Sequence, residues 1–352
     1  MEPFVYQGLP SRVVFGVGSL DHLGREIELL GAQRAIVLST PQQRAQAEQL
    51  AERIGPRAAG VYAEAVMHVP VETARAARDY AARVGADCAI AIGGGSTTGL
   101  GKAIALETSL PIIAIPTTYA GSEMTPIYGL TESGVKKTGR DLRVLPKTVI
   151  YDPSLTVSLP PALSLTSGIN AIAHAAEGLY AQDTNPIMSL MAEEGIRALG
   201  EGLPRVMKTP DDLDARAACL YGAWLCGAVL GSVGMSLHHK LCHTLGGTFN
   251  LPHAETHTIV LPHALAYNRA AAPHAMQRIA RALHADDAAQ AVYDLALDNG
   301  APIALKDIGM KEGDIDVALD LALKSPYWNP RAVEREPLRA LLENAYEGRG
   351  PA

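Results

Sequence analysis

The chain has 352 residues, enough for two domains, and 48% of them are hydrophobic against 19% charged, the balance of a globular enzyme and not of a disordered segment. Its formal net charge of −7, without a long run of Lys or Arg, supplies no field to gather nucleic acid or anionic lipid, so neither is an expected partner. The opening MEPFVYQGLPSRVV lacks the basic start and apolar run of a signal peptide, and a cytoplasmic protein is expected.

In chain order, RAIVLST predicts a strand, residues 43–54 a helix, GVYAEAV a strand and residues 71–84 a helix. Residues 88–92 then read as a buried strand, 93–96 as a turn, 98–106 as the helix it opens, and PIIAIPTT as another strand. This alternation predicts a parallel sheet with helices on both faces, whose ligand crevice lies beyond the carboxyl ends of the strands. VLPKTVIYDPSLTVSLPP, with Pro146, Pro153, Pro160 and Pro161, reads as the seam, and long Ala- and Leu-rich stretches of helical spacing follow it. The expected organisation is an α/β N-terminal dinucleotide-binding domain over 1–158 and an all-α C-terminal substrate domain over 159–352, with the active site in the cleft between them.

Two features of the second half test alternatives. The stretch between Arg216 and Lys240 has no Asp, Glu, Lys or Arg and is long enough to span a membrane, but its Ala, Gly, Ser and Cys content predicts a buried helix. Cys88, Cys219, Cys226 and Cys242 form no CxxC pair and no zinc-like spacing, and they read as reduced thiols.

The dinucleotide end is predicted from AIAIGGGSTTGLGKAIAL. Gly93, Gly94 and Gly95 follow a strand and precede a helix, so backbone amides there, with Ser96, can approach a pyrophosphate unobstructed at the positive helix end. PTTYAGSEMTP adds Thr117, Thr118 and Ser122 as neutral donors on the same sheet edge. RAIVLST ends in Ser39 and Thr40, where an acidic residue would exclude a 2′-phosphate, so NADPH should be tolerated beside NADH. Arg44 is a candidate to hold that phosphate, but a solvated helix arginine is the favoured account.

Six of the eleven histidines, His238, His239, His243, His253, His257 and His263, lie close in sequence, and His174 stands in GINAIAHAAEG. On helices Asn170 shares a face with His174, and His239 with His243, so two helices each present two polar groups. His263 and His274 read as satisfied core side chains.

GGGSTTGLGK and PTTYAGSE resemble the iron-type alcohol dehydrogenase superfamily, whose usual patterns are GGGSxxDxxK and PTTxGTxSE. Gly99 stands in the place of the Asp, and the second loop is one residue shorter. Both departures, together with LHHKLCHTLGGTFNLPHAETHTIVLPHA, resemble the maleylacetate reductase family, from VVFG to about residue 300. Metal-dependent members of the superfamily bind a divalent ion through one Asp and three His; the resemblance places His174, His239 and His253 at the histidine positions and Asn170 at the aspartate. Without that anion, no metal is expected to be required.

The resemblance implies reduction of maleylacetate, an enone flanked by two carboxylates, to 3-oxoadipate in aromatic-compound degradation, by a cytoplasmic homodimer. Reductive dechlorination of chloromaleylacetate would be a side activity. Hydride addition at the alkene carbon β to the ketone requires only that an enolate be stabilised and its α-carbon protonated. The expected roles are His243 or His253 on the ketone oxygen, and His174, His239 and Lys240 on the carboxylates with Asn170 as orienter. Whether Lys240 faces the pocket stays open, since it points about 100° from His239 on a helix. The rival readings are a metal-dependent alcohol or glycerol-type dehydrogenase, distinguished by a stoichiometric ion, a dehydroquinate synthase-type lyase, excluded by net NADH consumption, and a non-catalytic nucleotide sensor, for which the histidines would have no use.

Overall fold

The computed structural model describes residues 4–9, 11–132, 135–324 and 327–352. These group into two compact units, Leu9–Leu159 and Pro160–Ala352, with residues 4–8 joining the second.

In the first unit, β1 (Arg12–Phe15), α1 (Leu23–Leu29), β2 (Ala35–Leu38), α2 (Arg44–Ile54), β3 (Ala58–Tyr62), α3 (Val71–Arg83), β4 (Cys88–Gly93), α4 (Gly95–Thr108) and β5 (Ile112–Pro116) alternate. A hairpin of β6 (Ile127–Glu132) and β7 (Val135–Arg140) and a last strand, β8 (Thr148–Tyr151), complete it. The main sheet runs β1-β8-β5-β4-β2-β3, all pairs parallel. Period-two geometry sorts each strand between two layers. Val37, Ile90, Ile92, Ile113 and Ile150 pack with Ile27, Ala47 and Leu50 on one side. Ile36, Leu38 and Ala89 pack with Ala77, Leu100 and Ile104 on the other.

Three expectations about elements are corrected. TVIY, placed in the seam by its flanking prolines, is β8, fully buried and paired with both β1 and β5. β3 begins before GVYAEAV and ends at Tyr62, so Ala63–Val66 is loop. The helix after the glycines starts at Gly95, three residues earlier than its apolar spacing indicates.

The second unit is helical: α5 (Pro161–Leu179), α6 (Pro186–Lys208), α7 (Leu213–Ser232), α8 (Leu237–Phe249), α9 (His253–Asn268), α10 (Pro273–Ala282), α11 (Ala288–Asp298), α12 (Asp314–Lys324) and α13 (Arg335–Glu347). Most of the charge-free stretch lies in α7, which meets the length and apolarity of a membrane span yet is mostly buried inside the unit. Its small residues have a packing reason. A Cβ on Gly222 would stand 2.8 Å from the Gly195 carbonyl oxygen, so α6 and α7 approach closer than larger side chains permit. All four cysteines are buried and unpaired with one another.

Candidate active site

The nucleotide end lies at the carboxyl edge of β4. Gly93 has φ +149°, and a Cβ there would come within 2.5 Å of Thr97 Oγ1 and 2.8 Å of Gln43 Oε1. A Cβ on Gly94 would meet Thr118 at 3.0 Å. Gly94 begins α4 without a side-chain cap, so the first amides of that helix stay available, and Gly95 is exposed above them. A cradle that only glycine leaves open, at an uncapped helix start, fits a dinucleotide pyrophosphate.

The second loop is tied to the first. Thr117 N–H donates to Gly93 O at 3.0 Å, and Gln43 Nε2 donates to Thr117 Oγ1 at 3.0 Å. From the middle of α4, Lys102 Nζ donates to the carbonyls of Ser122 and Ile127 at 2.7 Å each and to Thr125 Oγ1 at 3.0 Å. Burial pushes the Lys102 ammonium down to about 7, against the pull of buried Glu123, which accepts from Tyr151 Oη at 2.8 Å. Ser122 Oγ takes a longer contact from Lys102 at 3.3 Å, and the buried Ser39 hydroxyl is spent on Thr40 O. Thr40 Oγ1 donates to Gln43 Oε1. Arg44 pairs with Glu64 at 2.7 Å, an occupation that sequence reading had not foreseen.

In the helical unit, six histidines meet. The rings of His174 on α5 and His239 on α8 lie 5.2 Å apart, His239 and His257 5.0 Å, His239 and His243 6.1 Å, and His253 and His257 4.4 Å. His238 joins through Nε2···Nδ1 of His257 at 2.9 Å. His174, His238, His239 and His257 are buried, whereas His243 and His253 are exposed. Burial, reinforced by neighbouring imidazoles, holds His174, His238 and His257 well below the ordinary histidine value, so they are neutral.

Glu177, one turn beyond His174, organises this cluster. Its Oε2 accepts from Ser236 N–H at 2.9 Å and from His239 Nδ1 at 2.7 Å, while Oε1 accepts from His238 N–H at 2.8 Å. A carboxylate on α5 thereby caps the start of α8, whose own Ser236 makes no side-chain cap. The same carboxylate fixes the His239 tautomer, turning Nε2 away from Glu177. Asn170 Oδ1, His174 Nδ1 and His239 Nε2 are buried without partners, a state that costs about 1–3 kcal/mol per group and that a polar ligand relieves.

Asn170, His174, His239 and His253 are the residues that the sequence resemblance sets at divalent-ion ligand positions. One amide oxygen and three imidazoles bring no negative charge, and Glu177 is committed to amides and to His239. This donor set does not fit iron(II). Nor do His238, Cys242 and His257 make a ligand set, although their donor atoms lie within 4.8 Å of one another. Cys242 Sγ is 3.9 and 3.7 Å from the two ring nitrogens of His238, so it sits over the ring and not along either lone pair.

Lys240 points elsewhere on α8, its Nζ over the Tyr327 ring at 5.7 Å from the centroid. His263 is buried with Nε2 unpartnered, and burial alone lowers it to about 4; His274, expected in the core, is exposed. Sequence reasoning missed Glu177, Gln43 and Tyr327. The first had a signal, the Glu before the last Gly of GINAIAHAAEG, three residues from His174 on the same helical face.

Residues 10–153 match the family described as iron-containing alcohol dehydrogenase, and residues 164–346 match the C-terminal part of the same family. A maleylacetate reductase of Burkholderia cepacia is 62% identical over 352 residues, with 100% of each chain covered. Crystal structures of maleylacetate reductases from Agrobacterium tumefaciens and a Rhizobium species superpose with TM-scores of 0.97 and 0.96, each at 55% identity and with 100% of both chains covered.

Proposed function

The chain belongs to the iron-containing alcohol dehydrogenase family, and on that premise we propose that it is an NAD(P)H-dependent reductase of the maleylacetate double bond, forming 3-oxoadipate. The observation that carries this reading is the histidine cluster whose one ligand-type position without an imidazole holds the neutral Asn170. A bound nicotinamide supplies the hydride, which adds to the alkene carbon β to the ketone. The chain's own residues then have three tasks. The exposed imidazoles His243 and His253 donate to the ketone oxygen as it gains charge, and one of them returns a proton to the α-carbon. Buried His174 orients a carboxylate, with Asn170 completing the polar wall and His239 beside them, its ring held through Nδ1 by Glu177. Gly93, Gly94, Gly95, Ser96 and Thr118 line the nucleotide cradle, while Thr40 and Thr117 shape it through Gln43.

Metal independence belongs to this proposal. It is supported by the uncharged donor set, and reduction of an activated alkene needs no Lewis acid when hydrogen-bond donors face the ketone. A cytoplasmic homodimer is proposed with it, as is removal of chloride from a chlorinated substrate. The experiment is oxidation of NADH at 340 nm with maleylacetate, using chelator-dialysed protein of measured metal content. Turnover without metal is expected. No turnover until zinc or iron is restored would return Asn170, His174, His239 and His253 to ligand roles and favour the alcohol dehydrogenase reading.

A further inference from the structure

Segment 327–334 is pinned to the end of α9. The Asn268 and Asn329 side-chain amides exchange two hydrogen bonds, at 3.0 and 2.8 Å. Tyr267 Oη donates to Ala332 O at 2.8 Å, and the Arg331 guanidinium stacks 4.2 Å from the Tyr267 ring. Such anchoring fixes where Tyr327 stands, and two unspent donors meet there. The Tyr327 hydroxyl is buried without a hydrogen-bond partner. The Lys240 ammonium over its ring is half-buried, and its contact with that ring is a cation–π interaction, not an ion pair. An orphaned buried hydroxyl is retained at a cost unless a ligand uses it, and beside an ammonium the complementary ligand is an anion. Lys240 is the residue after His239 on α8, which ties this spot to the histidine cluster; burial raises the Tyr327 phenol above its usual value and keeps it a donor.

We propose that the Tyr327 hydroxyl and the Lys240 ammonium form a subsite for one carboxylate of the dicarboxylate substrate. This rests on the functional reading above and deepens it, since a dicarboxylate brings two anionic ends and the histidines account for one. The subsite acts on binding, not on the hydride step, so it stabilises ground state and transition state alike.

The test is Tyr327→Phe, measured by steady-state kinetics with maleylacetate and by calorimetric titration of adipate, an unreactive dicarboxylate, into protein holding NAD⁺. The variant should raise KM for maleylacetate and the dissociation constant of adipate about tenfold, the scale of one hydrogen bond to a charged group, with kcat within about twofold. Its melting temperature should not fall, because the substitution removes an unpartnered hydroxyl; a purely structural tyrosine would instead leave both binding constants unchanged. Lys240→Met should weaken adipate similarly. Unchanged KM and adipate binding in both variants would overturn the subsite, as would a loss of kcat at constant KM, which would move the hydroxyl to the ketone. If wild-type protein binds adipate but does not reduce maleylacetate, the functional reading fails and the subsite stands; failure to bind adipate at all removes the subsite.

Discussion

Replacing Glu177 with Gln asks how much one carboxylate contributes to folding and to catalysis. Its Oε2 accepts from Ser236 N–H and from His239 Nδ1, and its Oε1 from His238 N–H. Glutamine retains one oxygen, so whichever way the amide turns, an NH₂ faces a donor in a fully buried site. At least one hydrogen bond to a charged acceptor is lost, about 1.5–3 kcal/mol, and a buried N–H is left unpaired, about 1–3 kcal/mol more. The expected destabilisation is about 3–5 kcal/mol, which corresponds to a fall in melting temperature of roughly 6–20 °C for a unit of this size. Activity should fall with it, by about tenfold to a hundredfold, because a neutral amide, even with its oxygen toward Nδ1, holds the His239 ring less firmly than the carboxylate. Thermal denaturation followed by circular dichroism, with kcat measured at 25 °C where the variant is still folded, checks both. A melting temperature within about 2 °C of wild type, with kcat retained, would refute the reasoning and mean that the Glu177 contacts are replaceable.

Asn170→Asp should convert the donor set. With a carboxylate beside three imidazoles the variant is expected to retain zinc after chelator dialysis, read by elemental analysis, while maleylacetate reduction falls at least about tenfold, because two charges a few ångströms apart at an effective dielectric near 20 repel by several kcal/mol. Stability should also fall on acidification. His263 has a folded value of about 4, below the ordinary histidine value of 6.5, and His174, His238 and His257 shift in the same direction. The unfolded chain therefore takes up protons first; the stability is present above pH 6.5 and is lost as pH drops from there toward 4, by about 3 kcal/mol for His263 alone. Urea denaturation across that range should show the midpoint falling, with a shallower slope in His263→Gln.

The glycine turn was legible because its grammar is local: a strand, three glycines and a helix within one stretch of chain carry their own geometry. His239 with His243, and Asn170 with His174, were legible as helical faces for the same reason. What was not legible depends on contacts between distant residues. TVIY looked like a linker because prolines bracket it, and only its insertion between β1 and β5 makes it a central strand. Glu177 reaches residues 236–239 from another helix, and the Tyr327 hydroxyl is notable only because it lacks a partner, which no sequence pattern encodes. Arg44 likewise had an occupant, Glu64, that lies beyond the next strand.

Lys102 joins two things that sequence separates. The helix that offers its first amides to the cradle also grips, two turns further on, the backbone of Ser122 and Ile127. Both walls of the nucleotide site are thus mounted on one rod, and displacement of the rod carries them together. Their spacing is therefore set in large part by α4. A shift in the register of the helix would misalign both walls at once.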